Sequence, residues 1–201
     1  GFLNLEKHIE NCKHFGITPV VAINHFPSDS AEEIEFVQQQ CSTHGVKAKV
    51  AKGFELGGQG TTELAQAVCD SIESGANQFK PLYDWSLSIE DKIIKIATSI
   101  YGATAVEFSS KAHTQLKTIK TLGYDKLPVC MAKTEKSLSD NMELKGRPEN
   151  FTVHVREFEF AAGAGFIIPI LGEIMRMPGL PTVPASEHMD IDNNGKIIGL
   201  S

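Results

Sequence analysis

Between Pro19 and Ala51 two short apolar runs flank one stretch of helical period, and that order dictates a pair of parallel strands. The first run, Pro19-Val20-Val21-Ala22-Ile23-Asn24, has the composition of a strand buried on both faces. A turn follows, His25-Phe26-Pro27-Ser28-Asp29-Ser30. Residues 31–44 read as a helix, with Asp29 or Ser30 as its cap. Glu32 and Glu33 fall in its first turn, where the helix dipole favours negative charge. Gly45 ends it, and Val46–Ala51 supplies the second strand. Parallel strands need a long crossover, and the intervening helix provides it.

The flanks extend this unit. Leu5, Ile9, Cys12 and Phe15 recur near a 3.6-residue period, which predicts a helix from Leu5 capped by Asn4 and stopped by Gly16. After the second strand comes a glycine-rich loop, Gly53-Phe54-Glu55-Leu56-Gly57-Gly58-Gln59-Gly60, and then a helix over about 61–72. Residues 1–80 thus read as an α/β layer. Residues 74–81 are polar and connect it to an α+β region over 81–201 with a mixed sheet and hairpins. That region opens with amphipathic helices over 89–101 and 109–122, stopped by Gly102 and Gly123. Strands follow at 127–132, 151–160 and 166–171, with a turn at 161–165. Phe151, Val153 and Val155 share one face of the middle strand. A last hairpin, 189–200, is centred on Asn193-Asn194-Gly195, which suits a turn requiring positive φ.

Charge and cysteine content narrow the function. The 201 residues carry a net charge of −6, which disfavours nonspecific nucleic-acid binding. Four cysteines, Cys12, Cys41, Cys69 and Cys130, show no CxxC spacing and read as free thiols. No apolar run reaches transmembrane length, so the expectation is a cytoplasmic protein without membrane contact. The chain opens on Gly1 without Met and enters a helix at once, which reads as a fragment of a longer protein.

Candidate sites cluster at the loops after the two parallel strands. Ligands of open α/β sheets bind beyond the carboxyl ends of the strands. Phe26 and Phe54 would both lie on that edge, able to face each other across a slot for a planar heterocycle such as a pterin or a purine. The alternative is that Phe26 folds back into the core. Gly57 and Gly58 either let backbone approach the ligand or simply admit the next helix. Met177-Pro178-Gly179-Leu180-Pro181 is a stiff apolar loop, either a connection or a pre-shaped pocket wall.

Other motifs fail on their own chemistry. Ala161–Gly165 contains a GxG, but a strand follows it where a dinucleotide site needs a helix. Asp190–Gly195 resembles half of an EF-hand loop and lacks the closing Glu. Seven histidines show no paired metal spacing, so no metal site is expected. No GxxxxGK[ST] phosphate loop occurs.

Several blocks together resemble the formate–tetrahydrofolate ligases, in collinear order over nearly the whole chain. They are Asn4–Asn11, Val20–Asn24, Phe26-Pro27 with Asp29, Leu127–Thr134, Ala161–Phe166, Met177–Pro181, Ile191-Asp192 and Gly199-Leu200. The resemblance implies the C-terminal part of a larger P-loop-type ligase that forms 10-formyltetrahydrofolate from formate, tetrahydrofolate and ATP, through formyl phosphate. ATP and tetrahydrofolate would be substrates, with Mg in the full-length enzyme, which would be a homo-oligomer. The phosphate loop would lie in an N-terminal portion, leaving this chain inactive alone. Phe26 matches the family's Phe at the strand end. Phe54 stands where many members carry Trp, which keeps a π face but loses the indole N–H. Pro27, Gly57, Gly58, Pro178, Gly179, Leu180 and Pro181 complete the implied substrate-binding set. Two other roles compete: a free-standing binding module using the aromatic slot, and a structural or oligomerisation domain.

Overall fold

A computed structural model describes residues 1–172, 174 and 182–199. The chain is mixed α/β, with one parallel sheet, one mixed sheet and a short antiparallel hairpin. Helix α1 (Phe2–His14) begins earlier than the expected Leu5, with Gly1 at its N-cap, so Asn4 lies inside the helix. Gly16, at φ 75°, ends it as expected. Strand β1 (Val20–Asn24) runs parallel to β2 (Lys47–Ala51), in register from Val20 opposite Lys47 to Asn24 opposite Ala51. The crossover is α2 (Ala31–Thr43). Its cap is Ser30, whose side chain accepts from the Glu33 N–H while the Glu33 carboxylate accepts from the Ser30 N–H. This reciprocal pair satisfies two donors at the helix start. Ile9 of α1, Cys41 of α2 and Val46 form a small buried core beneath the sheet.

Contrary to expectation, β1 is not buried on both faces: Ala22 and Asn24 are exposed. In a two-stranded sheet β1 has a neighbour on one flank only, and its covering is correspondingly thin. The glycine-rich segment is also more regular than a loop. It forms a single helical turn, α3 (Gly53–Leu56), and then a 3-10 turn over Gly57–Thr61 that leads into α4 (Thr62–Glu73).

The second region packs two helices on a mixed sheet. Helix α5 (Ile89–Ile96), capped by Ser88, continues as a π-helical turn through Tyr101 and stops at Gly102, φ 82°. Strand β3 (Ala105–Phe108) follows, an element the sequence pattern did not reveal. Helix α6 (Ser110–Thr121) starts on a Ser109 cap. Strand β4 (Thr152–Ala161) lies between β3, parallel to it, and β5 (Phe166–Leu171), antiparallel to it. Ile89, Ile93, Ile119, Val153, Val155, Phe158 and Ile167 make the main core. Phe151, Val153 and Val155 face it as expected. A bulge between Val155 and Glu157 then shifts the alternation, so that Phe158 joins the buried face; Phe160, on that same face, is half exposed and packs edge-on against Tyr124. Gln115 of α6 pins this point, accepting from Phe158 N at 2.8 Å and donating to its carbonyl at 3.0 Å.

The expected strand at 127–132 is reduced to isolated parallel bridges with β5, Val129 to Ile167 and Ala132 to Ile170. The cause is Pro169 of β5. Cys130 and Ala132 N–H groups donate to Ile167 and Pro169 carbonyls, but proline has no N–H to return the ladder. The last hairpin pairs β6 (Asp190–Ile191) with β7 (Ile197–Ile198), with Gly195 at φ 81°.

Helix α1 ties the two regions together. Lys7 and Asn11 donate to the Ser99 and Ile100 carbonyls, each at 3.0 Å. Carbonyls in the last turn of a helix lack intrahelical partners, and these two find theirs on α1. No helix among the described residues is long and apolar enough to cross a membrane.

Candidate functional site

The register of the parallel pair positions the site. Asn24 and Ala51, the last residues of β1 and β2, lie opposite each other, and the His25 N–H donates to the Ala51 carbonyl at 3.0 Å. Two loops therefore leave the sheet edge at the same level. Phe26 comes two residues after one strand end and Phe54 three after the other. Their ring centroids are 6.0 Å apart, with planes tilted by 40°. Phe26 is 44% exposed and Phe54 77% exposed, so neither ring serves the core.

The Phe26 side of the pair is held by its backbone. The Asp29 carboxylate accepts from the Phe26 N–H at 2.8 Å, and the Asp29 N–H donates to the Phe26 carbonyl at 3.0 Å. Asp29 thus closes the turn containing Pro27, while the neighbouring Ser30 caps α2. Pro27 is exposed in that turn. The Phe54 side is looser: α3 has no buried residue and no side-chain cap. Its base is fixed by the Lys52 N–H, which donates to the Gly60 carbonyl at 2.9 Å. Gly60 passes so close to this strand end that a Cβ there would meet the Lys52 carbonyl oxygen at 2.3 Å.

Gly57 terminates α3 at φ 57°, and Gly58 continues into the 3-10 turn; a Cβ on either would meet nothing within 4 Å. Both glycines lie directly after α3, on the same segment as Phe54. Pro178, Gly179, Leu180 and Pro181 lie outside the described residues. One contact escaped the sequence reading. His25 Nδ1 lies 3.3 Å from the Glu55 carboxylate, and each of these residues adjoins one of the two aromatic residues. The signal was present in the order His25-Phe26 and Phe54-Glu55, but only the tertiary fold brings the two together.

A planar ligand between two rings needs them roughly 7 Å apart, twice an ordinary carbon–carbon contact. At 6.0 Å and 40° the rings rest against each other, and a ligand must part them by about 1 Å. The weakly anchored α3 is the element able to move. Among the described residues no group of three or more His, Cys, Asp or Glu side chains could hold a metal ion.

The architecture defines an α/β protein with an open aromatic pair at the carboxyl edge of parallel strands. The chain belongs to the formate–tetrahydrofolate ligase family, whose family model matches residues 1–201. Membership implies a ligase of one-carbon metabolism that uses ATP and tetrahydrofolate as substrates.

Proposed function

We propose that this chain provides the ring-binding slot of a formate–tetrahydrofolate ligase, with the pterin of the folate, or a purine in its place, held between Phe26 and Phe54. The observation that carries the reading is the pairing of two exposed rings 6.0 Å apart at the edge where α/β sheets bind ligands. Stacking on an aromatic ring contributes roughly 1–3 kcal/mol per base-like heterocycle. Pro27 stiffens the Phe26 turn, and Gly57 and Gly58 leave open space beside α3. Pro178, Gly179, Leu180 and Pro181 are assigned to the pocket wall from the sequence alone.

In the reaction, formate attacks the γ-phosphoryl group of ATP to give formyl phosphate and ADP. N10 of the folate then attacks the formyl carbon, and phosphate leaves carrying the N10 proton. The residues of this chain act on the second step by orienting the folate, since holding a nucleophile in an attacking geometry removes much of the entropic barrier. Phosphate positioning belongs to a P-loop-type portion of the enzyme, because the 201 residues contain no GxxxxGK[ST] segment. The assignment divides the chain into a slot-bearing unit, 1–80, and a supporting region, 81–201. The chain alone binds folate without turning over ATP, and the full enzyme is a cytoplasmic homo-oligomer. Titration of this chain with tetrahydrofolate tests the reading: saturable binding that Phe54→Ala weakens supports it, and no binding contradicts it.

A further inference from the structure

We propose that His25 and Glu55 form a tether that sets Phe54 over Phe26 and thereby tunes the affinity of the slot for a planar ligand; the proposal rests on the slot reading above. The two pairs are nested. His25 and Phe26 are consecutive on the β1 side, and Phe54 and Glu55 are consecutive on α3, so the polar contact and the ring contact span the same gap. His25 Nδ1 lies 3.3 Å from Glu55 Oε1, with the two side chains 14% and 31% exposed. The Nδ1 atom is buried and makes no aligned hydrogen bond, and the Glu55 carboxylate faces it.

Little else fixes α3. It is a single turn of four residues, with none buried and no side-chain cap. Its base is held by the Lys52–Gly60 backbone bond, but that bond lies below the turn and does not direct Phe54. Without the His25–Glu55 contact, Phe54 is free to swing away from Phe26. Ligand binding must then order it, and ordering an interface side chain weakens affinity. His25 and Glu55 are positioning residues in this account, and both act through Phe54.

The experiment measures tetrahydrofolate binding to the chain by calorimetry for wild type, His25→Ala, Glu55→Ala, the double variant, Phe54→Ala, and Phe54→Ala combined with His25→Ala. Each single removal of the tether is expected to weaken binding roughly two- to fivefold, the range of a partly exposed polar contact. The double variant is expected to be no weaker than either single one, because they remove one shared interaction. His25→Ala is expected to have no effect once Phe54 is Ala. His25→Gln, which returns a side-chain N–H donor facing Glu55, is expected to recover part of the affinity, and this separates positioning from loss of fold. Additive losses, or a loss that persists without the Phe54 ring, overturn the tether. If Phe54→Ala weakens binding and the tether variants do not, the tether fails and the slot stands. If wild type does not bind, or Phe54→Ala binds as wild type does, the slot reading fails and the tether fails with it.

Discussion

Arg147 grips Glu10 with two parallel hydrogen bonds, Nη1 to Oε1 and Nη2 to Oε2, each 2.9 Å long, and its Nη1 also donates to Glu6 at 3.0 Å. This fork joins α1 to a segment 137 residues away in sequence. With Lys7 and Asn11 it holds α1 against the turn that ends α5.

Arg147→Met keeps the side-chain stem and removes the fork. The expected cost is about 1 kcal/mol, modest because the groups are partly exposed and screened by solvent. Urea denaturation at low and high salt checks it, and the difference between wild type and variant should shrink as salt rises. An equal difference at both salt levels would point to packing instead of charge.

Lys92 is fully buried, yet its ammonium donates to the Lys126 and Leu127 carbonyls at 2.9 and 3.1 Å and faces the Tyr83 ring. Lys92→Met fills similar space without the donors, and a cost of about 1–3 kcal/mol is expected. Burial, reinforced by Lys126, holds the Lys92 pKa below the ordinary lysine range. The folded state therefore binds fewer protons than the unfolded state between the two pKa values, and wild-type stability rises with pH across that window. The variant lacks this gain, so its deficit should widen as pH rises toward the ordinary lysine pKa. Unfolding curves at several alkaline pH values measure it, and a deficit that narrows would contradict the assignment.

Gly60 and Gly58 should respond differently to one added methyl. Gly60→Ala places a Cβ 2.3 Å from the Lys52 carbonyl oxygen, so the 3-10 turn must move away from Lys52. Gly58→Ala meets nothing within 4 Å. Thermal melts should show Gly60→Ala losing more than 1 kcal/mol, roughly the scale of overpacking, while Gly58→Ala stays near wild type. Equal melting points would show that the loop absorbs the clash.

What the sequence disclosed follows local rules, and what it hid follows tertiary ones. The parallel β1–β2 pair and the level exit of its loops were legible because a strand, a crossover helix and a strand admit few arrangements. Helix ends at Gly16, Gly45, Gly102 and Gly123 were legible from the left-handed backbone that glycine permits. Strand β3 was hidden because Ala105–Phe108 offers only four residues of weak alternation between two helices. The β4 bulge and the ladder broken at Pro169 depend on partner strands, which no single segment names. At the site, the two aromatic residues were visible as oddities in turns. The Asp29 clasp on Phe26 is a local turn, only three residues long, whereas the His25–Glu55 contact required the fold.

The pure chain should release no ADP in the presence of ATP, formate and tetrahydrofolate. Phosphoryl transfer depends on positioning and charge stabilisation around the phosphates, and no phosphate-loop segment is present in these 201 residues. A coupled ADP assay checks this, and release that requires both formate and folate would contradict it.

Replacing Phe54 by Trp should preserve folate affinity, since it keeps and enlarges the stacking face. A Kd raised more than threefold would mean that the 6.0 Å pair is too tight for an indole.

The central claim is that Phe26 and Phe54 hold a planar ring, and the most direct test is the tetrahydrofolate dissociation constant of Phe26→Ala and Phe54→Ala beside wild type. Each truncation should weaken binding by roughly 1–3 kcal/mol, about five- to 150-fold, as the loss of one aromatic stacking face does. Affinities unchanged in both variants would remove the rings from the site and contradict the account.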